Sequence, residues 1–93
     1  MVTRAPGVGF DHAMPLDRQA KWQEHRDFII DLGAKGLVRL AGPLLGSSEI
    51  LIVLAADDEE QADNYLSADP WTTLDVLRTT RIAEWDIRHG EIK

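Results

Sequence analysis

Ile50-Leu51-Ile52-Val53-Leu54-Ala55-Ala56 is apolar at every position. The run has the length of a strand, and its branched side chains favour a pleated backbone. A strand of an antiparallel sheet with one face in water alternates apolar and polar residues. This one does not, so both of its faces are expected to be covered.

Working outward, Leu37 to Ala41 reads as a preceding strand, stopped by Gly42-Pro43 because proline lacks the N–H that a ladder uses. Leu44-Leu45-Gly46-Ser47-Ser48 then returns the chain into Ile50, so the two strands form a hairpin. The serines belong to that turn and have no GxSxG context for a nucleophile. Upstream, Asp17 is placed to cap a long helix that ends at Gly33 or Gly36. Val2 to Ala5 forms a short first strand before Pro6-Gly7-Val8-Gly9 breaks the backbone.

Downstream, Asp58 and Gln61 make a capping box, and the acidic run Asp57 to Glu60 suits the positive end of a helix dipole. That helix turns Ala62, Tyr65 and Leu66 inward and stops near Ala68. A short helix runs from Pro70 towards Leu77. Arg81 to Ile87 alternates, with Ala83, Trp85 and Ile87 on one face, and reads as the last strand.

The order β, α, β, β, α, β is that of an α+β, ferredoxin-like subunit, an antiparallel sheet with its helices on one face. Those helices cover one face of Ile50 to Ala56. The other is most simply buried against a second copy, so a homodimer with sheets packed face to face is expected, with the tail Arg88 to Lys93 free to reach across.

The bulk numbers fit one domain spanning residues 1–93. A chain of this length buries roughly 60–65% of its unfolded surface, a marginal core that a partner subunit would supplement. Cysteine is absent, which excludes disulfides and thiolate metal sites. With 16 acidic against 10 basic side chains the net charge is −6, and no basic cluster is present, so nucleic acid is not expected as a partner. No apolar run approaches the ~20 residues of a membrane helix, and MVTRAPGVGF lacks the apolar centre of a secretion signal. The expected setting is soluble and cytoplasmic.

Chemistry narrows to a few residues. At about 100° per residue, Trp22, Phe28, Ile29 and Leu32 share one arc of the long helix, and His25 lies near its middle. His25 is therefore expected to point inward, as a satisfied core residue or as an acid–base group. Asp69 before Pro70 is a natural helix cap. A cap carboxylate has a second oxygen, however, and if it meets His25 it fixes the imidazole tautomer and leaves the other ring nitrogen to move a proton. Trp22 and Trp71 sit beside these two residues and would wall a small apolar pocket for a planar ligand. Asp11-His12, His25 and His89 have no ligand-like spacing, so no metal and no cofactor are expected. Gly7-Val8-Gly9 lacks the third glycine and the following helix of a dinucleotide loop.

Taken together, Trp22-x-Glu24-His25, Gly36-Leu37-Val38, Ala41-Gly42-Pro43-Leu44, the strand Ile50 to Ala55, the acidic helix start, Ala68-Asp69-Pro70-Trp71 and Trp85 resemble the YCII-related family, over about residues 15–87. The resemblance implies a dimeric α/β barrel of ferredoxin-like subunits and an active site made of His25 and Asp69. Most of that family has no assigned reaction, though some members resemble dehydrochlorinases acting on chlorinated hydroxyhydroquinones. Its members open with a longer apolar first strand, so the short one here puts the stability of the barrel in question. The expected function is lyase- or isomerase-like general acid/base chemistry on a small cyclic or aromatic substrate held near Trp22, Gly42, Pro43 and Trp71. The alternative is a non-enzymatic module that binds a metabolite or completes a dimer.

Overall fold

A computed structural model describes residues 1–90. Four strands form one antiparallel sheet: β1 (Val2–Pro6), β2 (Val38–Pro43), β3 (Ile50–Leu54) and β4 (Leu77–Ile82). Their order is β2-β3-β1-β4, which is compatible with a ferredoxin-like fold. The helices are α1 (Trp22–Ala34), α2 (Glu59–Ser67) and α3 (Pro70–Thr73).

The short first strand is central: β1 pairs with β3 on one side and with β4 on the other. Along it, Val2 and Arg4 point to the helix side and are both fully buried. Ile50, Ile52 and Leu77 join them there, and Leu66, Trp71 and Val76 close the core from the helices and the turn before β4. Leu51 and Val53, by alternation, face the other way and are half-buried. Leu40, which pairs with Val53, extends that outer apolar face and is 56% exposed.

Three boundaries differ from the sequence expectation, each for a local reason. Asp17 does not cap α1. The buried Gln19 side chain ties up the preceding loop, its Nε2 donating to the Asp11 carbonyl at 2.8 Å and to that of Met14 at 3.0 Å, while its Oε1 accepts from the Asp11 N–H at 2.8 Å. Leu16–Arg18 is therefore a separate 3-10 turn, and α1 starts at Trp22 after Lys21 in the left-handed region. Its end is as expected at Gly36, whose φ of 76° lets Leu37 N–H reach the Leu32 carbonyl at 2.9 Å.

Gly42-Pro43 does not stop β2 but lies within it, Pro43 pairing with Ile50. Because β2 is an edge strand, proline's missing N–H costs no second ladder there. The third difference is at the end of the chain. Helix α3 does not run to Leu77, and the last strand is Leu77–Ile82 instead of Arg81 to Ile87. Asp75 takes a left-handed φ of 54°, Val76 N–H closes onto the Trp71 carbonyl at 2.9 Å, and Leu77 enters the sheet. Trp85 consequently lies beyond β4 and is 54% exposed. The start of α2 is as read, with Asp58 accepting from Gln61 N–H at 2.8 Å, while the Gln61 side chain reaches Asp57 N–H. Of the expected tail, residues 91–93 lie outside the described residues.

Gly7-Val8-Gly9 packs against the Asp75 turn. Gly7 N–H donates to the Val76 carbonyl at 3.0 Å and Gly9 N–H to that of Asp75 at 2.9 Å. A Cβ on Gly7 would collide with Asp75, and one on Gly9 with the Leu74 carbonyl. The glycines are there for close backbone approach.

Candidate functional site

The site is assembled where α1, α3 and β1 meet. Asp69 is the cap of α3, its Oδ1 accepting from Trp71 N–H at 2.9 Å. This is the role that its place before Pro70 leads one to expect. The same carboxylate receives the imidazole of His25, with Nδ1 at 2.8 Å from Oδ2 and 3.0 Å from Oδ1. His25 thus points inward and reaches Asp69 across 44 residues of chain.

A third partner was not anticipated. Arg4 NH1 donates to Asp69 Oδ2 at 2.8 Å, and both side chains are fully buried. Its NH2 donates to Thr72 Oγ1 at 2.6 Å and to the Leu77 carbonyl at 3.2 Å, and Thr72 Oγ1 in turn donates to the Leu66 carbonyl at 2.7 Å. Arg4 Nε is buried and has no partner among the described residues. In the strand, Arg4 shares a face with Val2, and an inward cation in a central strand needs a buried anion, which Asp69 supplies.

An ionised carboxylate only accepts hydrogen bonds, so His25 Nδ1 carries the proton in this contact. Whenever the ring is neutral, the opposite nitrogen, Nε2, is then the one that bears the lone pair. Among the described residues it has no hydrogen-bond partner. Trp71 fixes the ring plane by stacking on it, with centroids 3.8 Å apart and planes 6° from parallel. Trp71 is itself fully buried, its indole N–H donates to the Ala20 carbonyl, and Trp22 tilts against it at 5.7 Å.

Burial alone pushes the Asp69 carboxyl up. The hydrogen bonds from His25 and from Trp71 N–H, the charge of His25 and the bond from Arg4 outweigh it and hold the group below its ordinary value. Asp69 is therefore ionised through the neutral range, as a fixed acceptor for Nδ1–H must be.

His25 lines a cavity of about 280 Å³ between α1 and the sheet. Trp22, Gly42 and Pro43 also line it, as expected, together with Arg4, Arg26 and Ile29. Asp69 and Trp71 do not: they stand behind the imidazole and hold it. A larger hollow, about 400 Å³, opens near Met1, Asp58 and Trp85 and includes neither member of the pair. Among the described residues no group of three or more His, Asp or Glu is arranged to hold a metal ion, and no helix is long and apolar enough to cross a membrane. His12 lies beside Phe10, with ring centroids 4.9 Å apart, and His89 is exposed.

No protein family, characterised protein or solved structure matches the chain.

Proposed function

We propose that the protein is a small acid–base enzyme of the lyase or isomerase kind, in which His25 Nε2 removes a proton from a cyclic or aromatic substrate seated in the 280 Å³ cavity. The observation that carries this reading is the Nδ1–H contact to Asp69, at 2.8 Å, on a ring that lines an apolar cavity. Asp69 holds the tautomer, Trp71 the ring plane, and Arg4 pairs with Asp69 from inside the core. A proton taken by Nε2 is returned to another substrate atom in an isomerisation, or retained while a leaving group departs in an elimination. The resemblance to YCII-related proteins supports the same two residues.

His25→Ala is expected to lower turnover by about 10²- to 10⁴-fold while the far-UV spectrum and melting profile stay those of a folded protein. Candidate substrates are found first by melting shifts with small cyclic and phenolic compounds, since a ligand at 100 times its Kd adds about 2.7 kcal/mol to the native state. Turnover unchanged in His25→Ala would sink the proposal.

The non-enzymatic reading draws on Arg4. Its guanidinium already neutralises Asp69, so the cluster is also explained as a polar lock inside a ligand-binding module. Under that reading His25→Ala changes ligand affinity and no reaction is found to lose.

For assembly, we infer a homodimer in which the outer faces of two sheets meet, closing a barrel. Leu40, Leu51 and Val53 support this, because they make a contiguous apolar face on the side of the sheet away from the buried core. Sedimentation equilibrium is expected to give twice the 10.4 kDa chain mass, and a monomer at micromolar concentration would refute it.

A further inference from the structure

The cavity beside His25 has a charge balance opposite to that of the whole chain. The protein carries a net charge of −6, yet the residues lining this cavity include Arg4 and Arg26 and not one Asp or Glu. The two arginines play different parts. Arg4 is fully buried and committed to Asp69, Thr72 and the Leu77 carbonyl. Arg26 follows His25 on α1, and its side chain is 51% exposed while still lining the cavity, so it stands at the mouth. Its nearest carboxylate is that of Asp27, at 3.9 Å and itself 64% exposed, too long for a hydrogen bond and screened by water. The rest of the wall is apolar, from Trp22, Ile29, Ile30, Pro43 and Ile52.

Size restricts the ligand further. A cavity of about 150 Å³ holds a benzene ring. At about 280 Å³ this one has room for a single ring with substituents. The apolar wall with Trp22 suits a ring, the Arg26 guanidinium at the mouth suits an anion, and its planar fork matches a carboxylate in two-point contact.

We propose that the cavity takes a small monocyclic carboxylate, with its ring against Trp22 and its carboxylate on the Arg26 guanidinium, so that Arg26 selects ligands by charge. This rests on the reading of the cavity as the substrate site, and it adds the class of substrate. Arg26 also brings a second cation beside His25. An anion in the cavity offsets the positive charge that the imidazole gains when it accepts a proton, so the ligand supplies the countercharge that Asp69, already paired with Arg4, provides less of.

The test is titration of the purified protein with benzoate, its neutral isostere benzamide, and benzylammonium, read by calorimetry and by the imidazole resonances of His25. Benzoate is expected to bind at least about tenfold more tightly than benzamide, the gain of one charge-assisted contact, to lose that advantage as salt is raised, and to shift the His25 resonances. Benzylammonium is expected to bind more weakly than either. Arg26→Gln is expected to remove the benzoate advantage and leave benzamide unchanged, with Arg26→Lys retaining part of it. Equal affinities, a preference for benzamide, no binding by any of the three, or an unaltered ratio in Arg26→Gln would each overturn the proposal. Binding is measured without turnover, so it can hold even where His25→Ala leaves every reaction intact. In that event the acid–base reading falls alone.

Discussion

Arg4→Met is expected to destabilise the protein by about 3–5 kcal/mol, measured by chemical denaturation at neutral pH. That is a large share of a small domain's total of about 5–15 kcal/mol. The cause is not the missing contact itself but what remains: Asp69, fully buried, deprived of a guanidinium at 2.8 Å. Adding Asp69→Asn to the same chain is expected to recover a large part of the loss. The amide still caps α3 and still accepts from His25, and no uncompensated charge is left inside. A double variant no more stable than the sum of the single losses would contradict this account. The pair also sets the acid response. The carboxyl of Asp69 lies below its ordinary value in the folded chain, so the unfolded chain binds the proton more readily. Its contribution to stability is therefore fully present above the unfolded value of 3.8, and is lost as pH falls through the lower folded value. Asp69→Asn is expected to remove that part of the acid dependence.

The second large effect belongs to Trp71. Trp71→Ala is expected to cost about 3–5 kcal/mol, because a completely buried indole leaves a void that its surroundings fill only in part. Two further consequences separate it from an ordinary core truncation. The Ala20 carbonyl, just ahead of α1, loses its donor, and the imidazole of His25 loses the surface that holds its plane. In Trp71→Phe the stacking surface is kept and the N–H is lost, so stability is expected to fall by about 1 kcal/mol, with the His25 ring resonances near their original positions. In Trp71→Ala those resonances are expected to broaden or move. If they do not, the stack is a bystander and Asp69 alone orients the ring.

The main pair of the site was legible because each half obeys a local rule. His25 sits within the apolar arc of a helix whose period is clear, and Asp69 stands before a proline that fixes the next residue as helical. Arg4 was not legible because its strand is only Val2–Pro6, too short for alternation to be conspicuous, and because its meaning depends on a partner 65 residues away. The last strand was misplaced for a related reason. Arg81 to Ile87 alternates well, but Val76 and Leu77 have the stronger claim on the core, and the left-handed turn at Asp75 that delivers them carries no glycine to announce it. The place of Trp71 beside Asp69 in sequence suggests a wall of the cavity. In space it lies one layer deeper.

The placement of β1 also bears on how the molecule is built up. The strand nearest the amino terminus lies in the middle of the sheet, flanked by β3 and by β4, so Val2 finds Ile52 on one side and Ile82 on the other. Neither flank exists until most of the polypeptide has been made, and the entropy of closing so long a loop falls on the central pairings. Completion of the sheet around β1 and assembly of the Arg4–Asp69–His25 cluster are therefore expected to be coupled. Slowed folding, with unfolding left nearly unchanged, is the kinetic signature expected of substitutions in β1 whose contacts form before the rate-limiting step, and the reverse of those whose contacts form after it.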